Sequence, residues 1–289
     1  MCPHVPEKTS PDCAHLPTAK AAGSSFYWAM RLMPVERRDA MFRIYAFCRE
    51  VDDIADEPGA ADVKMARLED WQRAVESLYE QNGGTSSPDP SIECLKPVVD
   101  RFDLDKADLI AIVEGMKTDA HDAVRMADET AFDLYLDRVA SAVGRLSDKV
   151  FGLNGLESDP LAHHLGRALQ ITNILRDLDE DAGRNRLYLP LSLLKAHGID
   201  TDHPRAVLAH NNLGTVLAKL ADRAHNHFDE ARTVLKHLEK SKTRPARVMM
   251  AVYLRVLERL EERGLARTDV AVRLTKPEKL WLAVRHGVL

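Results

Sequence analysis

Two acidic segments carry the residues whose types and spacing suit chemistry. Asp52 and Asp56 stand four residues apart in YAFCREVDDIADEPG, and Asp177 and Asp181 repeat that spacing in LGRALQITNILRDLDEDAGR. Residues four apart on a helix share a face, where like charges repel and destabilise the helix. A cation between the carboxylates removes that penalty. Oxygen ligands of this kind suit Mg²⁺, which is usually held by a few carboxylates together with substrate phosphates.

Polar side chains accompany both acidic pairs. Gln170 and Asn173 precede Asp177 and Asp181 in steps of three, four and four, so they extend one polar stripe along the predicted helix. Guanidinium groups bind phosphate oxygens with charge-assisted hydrogen bonds, and the arginines that could do so here are Arg49, Arg176 and Arg186. Two facing aspartate pairs could therefore hold several Mg²⁺ ions around a diphosphate.

Other readings of these segments are less well supported. A single Asp-x-x-x-Asp is common on a solvated helix face, but two copies at helix ends beside Arg and amide side chains are not. The chain has no Gly-x-Gly, no Gly-Lys-Ser/Thr and no Gly-x-Ser-x-Gly, which excludes the usual dinucleotide, phosphate-loop and hydrolase motifs. A di-iron bundle would need Glu-x-x-His, and none of the 12 histidines has Glu three residues before it.

The elements that must position these residues are helices. Residues 60–81, 105–127, 158–182, 211–240 and 246–263 show the helical period, and no alternating strand pattern of useful length appears. Apolar stripes with this period comprise Met41, Ile44, Tyr45, Cys48, Val51 and Ala55, and then Phe132, Leu136, Val139, Val143, Leu146 and Val150. We predict a flexible tail over residues 1–20 and one all-α domain over residues 21–289.

Composition limits the partners and the location of the chain. It has 289 residues, 29% charged and 45% hydrophobic, and a formal net charge of −5, which argues against nucleic-acid binding. No apolar run approaches the roughly 18 residues that a spanning helix needs, and the first 20 residues lack the apolar core of a signal peptide. We expect a cytoplasmic protein, at most peripheral to the inner face of the membrane.

The two acidic segments, AFCREVDDIAD and LGRALQITNILRDLDEDAGRNRLYLP, resemble the paired aspartate-rich motifs of the squalene and phytoene synthases. The resemblance runs from about Gly23 to about Leu280. It implies a single-domain all-α isoprenoid synthase fold with a central apolar cavity, Mg²⁺ as the metal, and head-to-head joining of prenyl diphosphates.

Several further stretches are similar to the hopanoid-pathway branch of that family, namely GSSFYWAMRLMP, VEGMKTDA, DRVASAVGRLS and AHHLGRALQITNILRDLDEDAGR. Members of this branch join two farnesyl diphosphate molecules to presqualene diphosphate and release pyrophosphate. The resemblance therefore implies two farnesyl diphosphates as substrates, no need for NADPH, and a downstream enzyme that forms squalene.

The resemblance also implies roles for individual residues. Asp52 and Asp56 match the first metal-binding motif, and Asp177 and Asp181 match the second. Residues that match diphosphate-site or pocket positions of the family are Ser25, Arg49, Gln170, Asn173, Arg176, Arg186, Tyr188 and Tyr253. Related dehydrosqualene synthases have a lysine immediately before the serine position, where this chain has Ser24, so the diphosphate contact at that place differs.

Tyr135 matches a tyrosine that the family places near the reacting carbons, where it would steer or relay a proton or stabilise a carbocation. The helical period of the apolar residues alone places it beside Phe132 and Leu136 and predicts a core residue. His163 and His164 are adjacent, and neighbouring helical side chains diverge in direction. This pair therefore favours a solvated or packed role over metal binding.

Three alternatives remain open at this stage. The chain could be a phytoene or dehydrosqualene synthase, or a squalene synthase that uses NADPH. It could also be a non-catalytic all-α assembly protein of the same fold. Such a relative should have lost at least one motif aspartate, and all four are present.

Overall fold

The computed structural model describes residues 29–30, 33–80, 90–153 and 155–287. The predicted tail over residues 1–20 and the candidate site residue Ser25 lie outside the described residues. Within the described ranges the regular structure is almost entirely helical, which confirms the all-α prediction.

The described ranges contain twelve α-helices. In chain order they are α1 (Val35–Asp56), α2 (Ala61–Ser77), α3 (Pro90–Phe102), α4 (Lys106–Asp119), α5 (Glu129–Leu136), α6 (Ala142–Phe151), α7 (Gly155–Gly183), α8 (Leu191–Ala196), α9 (Pro204–Leu208), α10 (Leu213–His237), α11 (Lys240–Arg263) and α12 (Lys276–Gly287).

The first apolar stripe explains the burial of α1. Met41, Ile44, Val51 and Ala55 are almost completely buried, whereas Cys48 is half-buried. Because these residues recur at the helical period, they hold one face of α1 against the core and direct the carboxylates at its end inward. The helix ends at Asp56, just before Pro58, as the sequence predicted.

A two-residue parallel strand pair was not expected from the sequence. β1 (Val124–Arg125) pairs with β2 (Arg186–Leu187), and α4 ends at Asp119 rather than continuing to residue 127. Two residues are too few to show a strand period. The guanidinium of Arg125 donates to the backbone oxygen (2.6 Å) and side-chain oxygen (2.7 Å) of Asn185, whose backbone is left-handed (φ 57°). These contacts fix the turn that follows α7.

A π-helical turn over Asp137–Ser141 joins α5 to α6, where the sequence predicts one regular helical period. The wider turn is accommodated by glycines on two neighbouring helices. A Cβ at Gly115 of α4 would lie 2.5 Å from Cγ1 of Val139, and one at Gly166 of α7 would lie 3.0 Å from the backbone of Ala140. Such π-turns occur often at functional sites.

The long helix α7 lies at the centre of the packing, against α10, α6, α11 and the π-turn. Gly144 of α6 allows a close approach, because a Cβ there would lie 2.9 Å from the Cα of Ala162. None of the helices over the described ranges is long and apolar enough to cross a membrane.

Candidate active site

A cavity of about 610 Å³ brings the two acidic segments together. Asp52 and Asp56 enter it from the end of α1, and Asp177 and Asp181 enter it from the last two turns of α7. The two aspartate pairs, which are far apart in the sequence, therefore line the same cavity. Apolar side chains complete this part of the wall, namely Ile112, Met116, Val139, Val143 and Ile174.

Each aspartate motif carries its own arginine. Arg49 contacts Asp52 at 2.6 Å and Asp53 at 2.5 Å, three and four residues further along α1. Arg176 donates two hydrogen bonds to the carboxylate of Asp177, from Nε at 2.8 Å and from Nη2 at 2.6 Å. These pairs hold guanidinium groups at the cavity wall, where they can reach an anionic ligand.

Two further arginines connect the motifs. Arg184 and Arg186 contact the two oxygens of Asp56 at 2.6 and 2.8 Å. Arg186 also donates to the backbone oxygens of Ala55 (3.2 Å) and Asp119 (2.9 Å). Burial opposes ionisation of Asp56, but the hydrogen bonds from both guanidinium groups outweigh it and lower the pKa of this carboxyl.

The charges of Asp52 and Asp181 are less well compensated than that of Asp56. Burial and then repulsion from Asp56 raise the pKa of Asp52. Burial and then repulsion from Asp177 raise the pKa of Asp181 to about 7. The site thus gathers carboxylate oxygens whose shared charge costs energy. This donor set fits a hard divalent cation such as Mg²⁺, with Asp52, Asp56, Asp177 and Asp181 as the residues that could hold it.

Asp119, at the end of α4, is a cavity residue that sequence reasoning did not identify. It is buried, and it accepts hydrogen bonds from the hydroxyls of Tyr188 (2.7 Å) and Tyr135 (3.0 Å). The two tyrosine rings are stacked with centroids 4.9 Å apart. Burial raises the pKa of Asp119 to about 6 despite both hydrogen bonds. In the sequence, Asp119 is marked only by the stretch VEGMKTDA, whose similarity to the hopanoid-pathway branch assigns no role to this residue.

Gln170, Asn173 and Tyr253 lie where the cavity continues into a mainly apolar arm of about 200 Å³. Asn173 donates to Oε1 of Gln170 at 3.2 Å. Its own side-chain oxygen is buried and accepts no hydrogen bond from the described residues, so it is available to a ligand. The arm passes between α6, α7 and α11, and its apolar lining includes Phe151, Leu161, Leu165, Leu169, Ala246 and Met249.

Every predicted site residue within the described ranges lines this one cavity. Ser25 lies outside those ranges. Besides Asp119, sequence reasoning missed Tyr45, Glu180 and Arg184 as lining residues.

The fold, the twin aspartate motifs and the arginine-rich wall define a class of all-α enzymes that bind prenyl diphosphates. The model of the squalene/phytoene synthase family matches residues 19–278, and the chain belongs to this family. This match confirms the resemblance of the two acidic segments to those of the squalene and phytoene synthases.

Curated relatives of similar length carry more specific names. The chain is 42% identical to a presqualene diphosphate synthase of Rhodopseudomonas palustris, over 93% of this chain and 95% of the relative. It is 41% identical to one of Sinorhizobium fredii, with the same coverage. A phytoene synthase of Thermus thermophilus is 32% identical, over 90% of this chain and 87% of that protein.

Solved structures confirm the fold. A dehydrosqualene synthase matches with a TM-score of 0.79 and 24% identity, over 95% of this chain and 94% of that one. A squalene synthase from Alicyclobacillus acidocaldarius matches with a TM-score of 0.75 and 24% identity, over 87% and 92%. The isoprenoid synthase fold is therefore established. The main cavity is lined mostly by charged and polar side chains rather than being apolar as expected, and only its arm is mainly apolar.

The raised pKa of Asp181 predicts how stability changes with pH. A carboxyl whose pKa rises on folding binds more protons folded than unfolded, so stability falls as pH rises from 3.8 towards about 7. In EDTA, Asp181→Asn should raise the free energy of unfolding by about 1–3 kcal/mol at about pH 8, and the gain should shrink towards about pH 4. Urea unfolding of both proteins measures this.

Asp179→Asn on the same helix is the control, because Asp179 is half exposed and pairs with Arg205. It should leave stability nearly unchanged across this range. If Asp181→Asn were no more stable than the parent at about pH 8, the charge of Asp181 would not carry the cost that burial and repulsion from Asp177 imply.

Proposed function

We propose that the chain joins two farnesyl diphosphate molecules head to head, forming presqualene diphosphate and releasing pyrophosphate. The observation that carries this proposal is the single cavity in which both aspartate pairs and their arginines meet an apolar arm. The names of the relatives at 41–42% identity support the choice of product.

The same proposal assigns Mg²⁺ to Asp52, Asp56, Asp177 and Asp181. The metal would supply positive charge that stabilises the departing diphosphate. Arg49, Arg176 and Arg186 then orient the phosphate oxygens, because each already lies at the cavity wall beside a motif carboxylate. Preorganised cations of this kind act most strongly on charge that develops as the bond breaks.

The apolar arm protects the reaction from water. Loss of diphosphate from an allylic carbon leaves a carbocation, which water would quench. The side chains of Phe151, Leu161 and Leu165 offer the prenyl chain an apolar lining. Gln170 and Asn173 stand between this lining and the charged end, so we propose that they position the reacting end of the chain.

Tyr135 is proposed to act through its ring and dipole. Its hydroxyl donates to Asp119, and burial followed by the negative charge of Asp119 raises its pKa well above the usual value. It therefore keeps its proton. An aromatic face can stabilise a nearby cation, and released pyrophosphate is our candidate for the base that takes the proton lost on ring closure. Tyr188 shares the hydrogen bonds to Asp119 and fixes the orientation of the pair.

Two other functions are weighed against this one. A phytoene, dehydrosqualene or squalene synthase would share the cavity, but the phytoene synthase relative is less similar, at 32% identity. A non-catalytic assembly protein would have no reason to keep four carboxylates that repel one another in one cavity. In our proposal NADPH takes no part, and a downstream enzyme converts the cyclopropyl diphosphate to squalene.

We also propose peripheral contact with the cytoplasmic face of the membrane, where prenyl products partition. On α12, Leu280, Trp281 and Val284 are 47%, 57% and 47% exposed. The guanidinium of Arg285 lies 5.0 Å from the Trp281 ring centroid, and Lys279 is on the same helix. Exposed apolar and aromatic residues beside cations are typical of helices that lie in a lipid interface.

The product test uses the full chain with farnesyl diphosphate and Mg²⁺, with and without NADPH. We expect presqualene diphosphate as the main product in both cases, identified by mass spectrometry of the extract. Squalene as the main product with NADPH would overturn the assignment. A higher kcat/KM with geranylgeranyl diphosphate, yielding phytoene, would move the chain to another branch of the family.

The metal assignment predicts the effect of single carboxylate replacements. Asp52→Asn, Asp56→Asn, Asp177→Asn and Asp181→Asn should each lower kcat/KM by about 100-fold or more, since each removes charge that acts on the transition state. Asp179→Asn is the matched control and should keep near-parental activity. EDTA should abolish turnover and Mg²⁺ should restore it. Full activity in a variant with both residues of either pair replaced would refute the assignment.

The membrane contact predicts binding to vesicles that contain anionic lipid. Trp281→Glu and Leu280→Glu should each weaken co-sedimentation with such vesicles, because they put negative charge on the apolar face. Val63→Glu on α2 is the control, since Val63 is also 57% exposed but lies on another helix. Equal binding by the parent and all three variants would show that α12 is not the contact.

A further inference from the structure

Three histidines meet outside the cavity, between α7 and α10. His163 and His164 are on α7, and His227 is on α10. One nitrogen of each ring lies within 4.8 Å of the others, and the Nδ1 atoms of His164 and His227 are 3.0 Å apart. The sequence had suggested that adjacent His163 and His164 diverge. Instead their ring centroids are 4.9 Å apart, and both rings lie within 6 Å of that of His227.

We propose that His163, His164 and His227 form a site for a borderline transition-metal ion of the Zn²⁺ type, which ties α7 to α10. A zinc ion about 2.0–2.1 Å from each nitrogen would set the nitrogens about 3.3 Å apart, so small ring rotations complete the site. Imidazole nitrogens suit such ions, whereas Mg²⁺ prefers oxygen. The site is therefore chemically separate from the carboxylate cavity.

The surroundings keep the imidazoles in the form that binds metal. Burial lowers the pKa of all three rings, and that of His227 falls to about 4 with help from His164 and Arg223. Neutral imidazole is the ligand form, so no proton has to be removed at neutral pH.

The arginines near this cluster do not leave it strongly positive. Arg167 and Arg223 both pair with Asp133, and Arg223 also contacts Glu129 at 2.9 Å. The negative charge of Glu230, one turn after His227, raises the pKa of His164 and so opposes the effect of Arg167.

The cluster is also accessible. His163 and His164 line an open surface depression with Asp137, Arg145, Asp159 and Pro160. Asp137 pairs with Arg145 at 3.0 Å, whereas Asp159 is exposed, so the depression offers a cation an entry path beside the Asp159 carboxylate. The three protein ligands leave a further coordination position, which water can fill.

The test measures Zn²⁺ binding to the full chain after EDTA treatment and desalting, in excess Mg²⁺ to occupy the carboxylate cavity. No prenyl substrate is present, so the outcome does not depend on the proposed reaction. A chromophoric chelator competes for Zn²⁺. We expect His164→Ala and His227→Ala each to lower the affinity of one Zn²⁺ site by at least about tenfold. Loss of a partner that only supports a metal ligand already costs about this much affinity.

His225→Ala on α10 is the control, because His225 pairs with Glu261 at 2.9 Å, away from the cluster. It should bind Zn²⁺ as the parent does. Unchanged affinity in His227→Ala, or equal losses in the control, would overturn the proposal.

A second measurement uses only the unaltered chain. Co²⁺ added in place of Zn²⁺ should give the intense visible absorption of a tetrahedral site with nitrogen ligands, and Zn²⁺ should displace it. With the carboxylate cavity already saturated by excess Mg²⁺, added Zn²⁺ should raise the melting temperature further, since the ion joins two helices. Absence of the Co²⁺ spectrum would refute the site even if a variant failed to fold.

Discussion

The structure depends on holding four carboxylates from two distant segments in one partly buried cavity. Burial, followed by repulsion from the neighbouring carboxylate, raises the pKa values of Asp52 and Asp181. Arg186 offsets part of this cost together with Arg184, because it contacts the carboxylate of Asp56, 130 residues away, and the backbone of Asp119. The end of α7, the left-handed Asn185 and the β1–β2 pair all serve to return Arg186 to α1.

The arginine pairs also prepare the cavity for a charged ligand. In the free protein, Arg49 and Arg176 lie against Asp52 and Asp177. In the proposed reaction, the guanidinium groups would turn to phosphate oxygens and the carboxylates would turn to the metal. Each guanidinium and carboxylate group would then exchange one charged partner for another, so little further desolvation of these groups would be needed. Preorganisation of this kind keeps the cost of reorganisation low during the reaction.

The sequence predicts what is local and misses what depends on packing. The spacing of Asp177 and Asp181 is enough to place both on one face of a helix, and the apolar stripe of α1 correctly predicts its buried side. Asp119 could not be found in this way, because Tyr135 and Tyr188 reach it from 16 and 69 residues away. His227 likewise approaches His164 across 63 residues, where only the packing of two helices decides the contact.

One helix matches both halves of an amphiphilic substrate. Leu165 and Leu169 of α7 line the apolar arm, Gln170 and Asn173 stand at the junction, and Asp181 lies at the charged end. With a rise of 1.5 Å per residue, Leu165 and Asp181 are about 24 Å apart along the axis. The glycine contacts of α7 with α6 and the π-turn leave no room for larger side chains. Helix spacing therefore limits the width of the arm, while the carboxylates and arginines define the charged end to which the proposal assigns the diphosphate.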